Sequence, residues 1–149
     1  MSRILFLLVS LGAMVRPAFS QSPRLVWQAD LQIKTLTVAE AKGGLIARVV
    51  VTSEFGEAMA AKVELMLPVG VGIMQMGAGC AAGPSAPGVP SLRARVICTI
   101  GNLRPNDHRE FSITTTSPPA GTARRFGVIA TSDTPDPKPG NNFAEKVIP

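Results

Sequence analysis

The chain has 149 residues, room for one ordinary domain, and 17% charged residues with no long charged run, which argues against a disordered chain. Its 14 glycines and 13 prolines follow no period, which excludes collagen and suits short strands joined by turns. The formal charge is +5; without Arg3 and Arg16 of the N-terminal segment it is 13 basic against 10 acidic residues, a balance that gives no case for nucleic acid.

The N-terminus reads as an address. Met1-Ser2-Arg3 is a short basic start, and Ile4 to Val15 is apolar apart from Ser10. That run is about half of what a bilayer span requires. Ala18-Phe19-Ser20 then supplies small residues where a signal peptidase needs them, so residues 1–20 are expected to be a signal peptide cleaved after Ser20. A buried N-terminal helix is the alternative, and Arg16-Pro17 would break it. No later segment is long and apolar enough to span a membrane, so the mature chain is expected outside the cytoplasm: periplasmic, at the cell surface or extracellular.

Residues 21–28 form a lead-in carrying Pro23 and Trp27, and residues 29–149 the domain. Trp27 is the only tryptophan, and its expected role is to cap the end of a core, with a ligand platform as the lesser alternative. Ala29–Leu36 alternates apolar and polar, the mark of a half-buried strand. A turn with paired glycines, Glu40–Gly44, leads into the β-branched run Leu45–Thr52. Ala60–Leu67 alternates again until Pro68, although the alanines around Glu57–Lys62 give helix propensity a claim there. Val71–Met76 is a short strand, and Met66, Met74 and Met76 read as core filler rather than as a metal box. Ala78–Pro90 is a loop of small residues.

The clearest period-two pattern follows. Leu92, Ala94, Val96, Cys98 and Ile100 face one side, with Arg93, Arg95 and Thr99 on the other. The arginines are expected to lie on a solvated face; a polyanion patch with Arg124 and Arg125 would need interleaved aromatics, which are missing. His108–Thr116, Arg124–Thr131 and Phe143–Ile148 complete the series, with proline turns between them. Seven to eight short strands separated by turn signals predict an all-β, antiparallel sandwich of immunoglobulin type. Cys80 and Cys98, the only cysteines, are expected to form a disulfide in an oxidising compartment.

Three motifs resemble a family. Leu67-Pro68-Val69-Gly70-Val71 is similar to its leucine-proline corner. Cys80 with Val96-Ile97-Cys98-Thr99-Ile100-Gly101-Asn102-Leu103 is similar to its cysteine pair and following turn. Ser132-Asp133-Thr134-Pro135-Asp136-Pro137 with Asn141-Asn142 is similar to its closing signature. The family is the bacterial surface domain of unknown function eleven, and the resemblance runs from Ala29 to Ile148. It implies an immunoglobulin-like sandwich at the cell envelope and no assigned reaction. Ser53-Glu54-Phe55-Gly56 departs from the family's usual asparagine-glycine turn.

No catalytic constellation is visible. His108, the sole histidine, stands beside Asp107 in a polar turn, and no serine sits in a nucleophile elbow. Asp133, Asp136, Asn141 and Asn142 are rich in oxygens of the kind calcium takes, but their spacing matches no defined calcium loop, and turn chemistry accounts for them. No cofactor is expected. An isopeptide staple between Lys34 and Asn142 is conceivable but not placed by sequence. The functional expectation is a non-catalytic interaction or structural module whose partner is a protein or envelope component. The alternative is a carbohydrate-binding module, which would want exposed aromatics.

Overall fold

A computed structural model describes residues 27–84, 93–121 and 123–148 of the chain. The expected signal peptide, most of the lead-in, the loop tip around Pro87 and Pro90, and Leu92 lie outside these residues. Alternation of apolar and polar side chains puts one face of each strand inside. Among the described residues the result is nine strands: β1 Leu31–Ala41, β2 Gly44–Ser53, β3 Ala58–Val69, β4 Ile73–Met76, β5 Cys80–Ala82, β6 Arg93–Leu103, β7 His108–Thr116, β8 Arg124–Thr131 and β9 Phe143–Ile148.

They form two sheets. One runs β1-β2-β7-β4 and the other β5-β6-β3-β8-β9. All pairings are antiparallel. β1 and β2 make a hairpin, the chain crosses to β3, and β7 returns beside β2 before β8 pairs with β3. This is the Greek-key crossing of an immunoglobulin-like sandwich. Ala47, Val49 and Val51 of β2 are buried together with Val63, Leu65 and Leu67 of β3, and Phe111 and Ile113 of β7 join Phe126 and Val128 of β8.

The strand expectations hold closely. β7, β8 and β9 span the residues that alternation indicated. The disulfide Cys80–Cys98 is present, and its two residues stand directly opposite each other on β5 and β6. One more element exists than expected, because Cys80–Ala82 in the small-residue loop adds to the edge of β6 as a strand of three residues. Helix propensity at Glu57–Lys62 loses to the sheet: Ala58 and Ala61 are buried in β3. Pro68 does not stop β3 but lies buried inside its end, where β3 no longer pairs with β8.

Two expectations are corrected. Trp27 does not cap the core; it is 86% exposed. Of the three methionines, only Met76 packs against the core, whereas Met74 is exposed and Met66 points from β3 toward Gly127 on the outer face of the five-stranded sheet. Gln28 passes closely over the β2–β3 turn. Gly56 is required there, with φ of +65° and no room for a Cβ against the Gln28 carbonyl.

Candidate binding groove at the β3 bulge

The pairing of β3 with β6 is irregular at both ends of β3, and the irregularity at its start shapes the site. Ala58 pairs with Leu103 and Ala61 with Gly101, so Met59 and Ala60 together face Asn102 alone. This is a β-bulge, a device that bends a strand and re-aims its side chains. Ala60 takes a φ of +49°, left-handed backbone that an alanine seldom adopts. Its N–H donates to Asn102 Oδ1 at 3.2 Å. The partner strand relaxes at once: Gly101, with φ of +77°, precedes a return to pairing at Lys62–Thr99.

The segment after β8 is stitched onto the bulge. The Met59 N–H donates to Thr134 Oγ1 at 3.0 Å, and that hydroxyl donates to the Glu57 carbonyl at 3.0 Å. The Asp133 N–H donates to the Met59 carbonyl at 2.9 Å. Ser132 Oγ donates to the Thr134 carbonyl at 2.9 Å, closing the turn on itself. The start of the domain is tied to the same segment, because the Ala29 N–H donates to the Pro135 carbonyl at 3.1 Å. These bonds bring Trp27, Met59, Asn102 and Asp133 together around a depression of about 250 Å³.

A second depression of about 360 Å³ lies on the other side of Ala60, on the outer face of the sheet. Its floor is one cross-strand row, Ile97 of β6 and Ile129 of β8 on either side of Glu64 of β3, two aliphatic side chains with a carboxylate between them. Its polar lining includes Lys62, Glu64, Thr131 and Asp133. Arg95 holds the Glu64 carboxylate at 2.9 Å. Among the described residues, neither Lys62 nor the Asp133 carboxylate has an ion pair. Ala60 and Asp133 border both depressions, so the two are neighbours on either side of these residues and are together called the groove below.

The other oxygen-rich residues of the closing signature serve a different end. Asp30, buried at the start of the domain, accepts hydrogen bonds from Lys138 Nζ and Asn141 Nδ2, each at 2.7 Å. The bonds from Lys138 and then Asn141 hold its carboxyl below the usual range, against the opposing effect of burial. Asp30 in turn pushes the Lys138 ammonium upward. Asp136 accepts the Leu31 N–H on one oxygen at 2.9 Å and the Lys138 N–H on the other at 2.7 Å. Lys138 also lies over the Phe55 ring, 5.9 Å from its centre.

Three of the four calcium candidates are thus employed separately: Asp133 in the groove, Asp136 on backbone amides, Asn141 on Asp30. The cation that neutralises the buried carboxylate is Lys138. Lys34 is exposed at the β1 bulge, and Lys138 is the lysine that reaches this cluster. His108 is exposed at the start of β7.

Sequence reasoning missed the bulge because Ala60 reads as an ordinary alternation residue. The one available signal was the local conflict between helix and strand preference at Glu57–Lys62. Asp30 was missed because its partners lie more than 100 residues away.

No family model matches the chain, and no curated protein matches it. Among solved structures, the fold is similar to the chitin-binding domain of Chi18aC from Streptomyces coelicolor, known from a solution structure. The identity is 13% and the TM-score 0.42, with 74% of this chain and 95% of that domain covered. A likeness at that level carries no inference about a ligand.

Proposed function

We propose that this is an exported, non-catalytic binding module that holds a carbohydrate ligand at the Ala60 groove. The single observation that carries the reading is Trp27, an aromatic ring 86% exposed at the rim of a depression that also presents the Asn102 amide and the Asp133 carboxylate. An indole offers a flat apolar face for the C–H side of a pyranose ring, and neighbouring amide and carboxylate groups satisfy its hydroxyls. Hydrogen bonds from the Met59 and Ala60 N–H groups fix the strained Ala60, and such strain concentrates at ligand sites. The disulfide fits the oxidising compartment that the N-terminal address implies. The resemblance to domain of unknown function eleven belongs to the same proposal and rests on the sequence motifs, whose closing segment bonds to the start of the domain through Asp136 and Asn141.

A hydrolytic role finds no support in the groove. Glycoside cleavage uses two carboxyl groups facing the scissile bond, and here Glu64 is engaged by Arg95. Binding to a glycan array by the mature protein, lost in Trp27→Ala, is the expected result; an array on which the parent protein gives no signal refutes the reading. A protein partner is the second reading, favoured by β9. This strand is the free edge of the five-stranded sheet, and Phe143 and Val147 are exposed along it. A specific envelope protein captured by the parent and lost in Val147→Lys would decide for it.

A further inference from the structure

The two halves of the groove differ in chemistry, and the difference says what size of ligand fits. The half at Trp27 is an aromatic platform with a carboxylate and an amide at its edge. The half beyond Ala60 has an aliphatic floor, Ile97 and Ile129, flanked by an ammonium and hydroxyls. Asp133 stands between the two. Met59 borders the first depression and Glu64 the second, five positions apart on β3, so the pair together exceeds one sugar ring. The bulge brings the two depressions side by side. A regular strand would send Met59 and Ala60 to opposite faces, whereas here both border the Trp27 depression and Ala60 also borders the next.

We infer that the ligand is a linear oligosaccharide that spans both halves, with one unit on Trp27 and at least one further unit over Ile97 and Ile129, where Lys62 donates to its hydroxyls. This rests on the carbohydrate reading above and extends it from a sugar to a chain. Two residues carry the extension. Lys62 is exposed and has no ion pair among the described residues, so its ammonium is free to donate. Asp133 is held by its own backbone bond to Met59, which leaves its side chain to serve units on either side. The charges at the second half are balanced, since Glu64 is neutralised by Arg95 and the lining carries Lys62 and Asp133, one charge of each sign. An uncharged, hydroxyl-rich chain therefore fits better than a polyanion.

The test is calorimetric titration of the mature protein with two neutral β-1,4-linked series, glucose oligomers and N-acetylglucosamine oligomers, from one to six units. At least one series is expected to gain tenfold or more in affinity between one and four units and then to level off. Lys62→Met, a change at an exposed position, is expected to reduce the ratio of tetramer to dimer affinity at least fivefold, with the unfolding midpoint checked alongside. Binding that is independent of chain length, or a tetramer-to-dimer ratio untouched by Lys62→Met, overturns the two-unit groove while leaving the Trp27 site standing. Failure of every oligomer to bind, together with a silent glycan array, overturns both.

Discussion

Replacing Ala60 by glycine separates a bulge from a regular strand by the sign of its effect. In a regular strand, glycine for alanine is destabilising by roughly 0.5–1 kcal/mol, through greater freedom in the unfolded chain. At Ala60 the backbone has φ of +49°, where an L side chain suffers a clash that glycine does not. That clash costs roughly 1–2 kcal/mol. The two effects oppose each other, and the release of strain is the larger, so Ala60→Gly is expected to stabilise the protein by about 0.5–1 kcal/mol. For a domain of this size that is a rise of roughly 2–6 °C in unfolding midpoint. Ala60→Val should act oppositely, losing roughly 1–2 kcal/mol although valine is the better strand former elsewhere. Urea unfolding of the three proteins with equal m-values provides the assay. A loss of stability in Ala60→Gly of the size seen in regular strands refutes the strained bulge, and with it the geometry of the groove.

The remaining expectations concern the scaffold. Removing the Cys80–Cys98 bridge, whose sequence separation is 18, should cost about 3 kcal/mol by loop-closure entropy, read by chemical unfolding under reducing and non-reducing conditions. The three residues of β5 pair only with β6, so their amide protons should lose protection first on reduction. Leu65→Ala in the centre of β3 should cost about 2–5 kcal/mol, because Leu65 is fully buried between the sheets; a loss under 1 kcal/mol would mean that the sheets do not pack there. The Asp30 cluster sets a pH window. Its folded pKa is lowered from 3.8, so its stabilisation is complete above that value and is lost as pH falls through the lower folded one. The Lys138 pKa is raised from 10.5, so its contribution holds below that value and fades as pH rises through the higher one. Asp30→Asn should therefore flatten the acid limb of a stability profile while leaving the neutral range without slope. An unchanged acid limb would show that Asp30 does not titrate differently in the two states.

How much of this was legible follows from the range of each interaction. Period-two alternation is local, and it placed Phe111, Ile113, Phe126 and Val128 on the core side without error. The disulfide was legible because two cysteines allow only one pairing. Trp27 was read as a core cap because large aromatics are usually buried, and nothing within the lead-in tells that a hydrogen bond from Ala29 to Pro135 will hold the ring outside. The bulge was hidden for a related reason. Left-handed backbone is usually announced by glycine or asparagine, but at Ala60 it is imposed by Thr134, Asn102 and Asp133 from distant parts of the chain. The closing signature looked like a cation loop because its oxygens are dense in sequence. In space they turn to three separate partners: backbone amides, Asp30 and the groove.

The single tryptophan permits the most direct test of the groove. In the free mature protein, Trp27 fluorescence should be red-shifted and fully open to quenching by acrylamide, as its 86% exposure requires. On titration with the tetrasaccharide that binds, emission should shift to the blue and the quenching constant should fall several-fold, in step with the calorimetric saturation. Saturation of the protein with no change in Trp27 emission or quenching would place the ligand elsewhere and contradict the site.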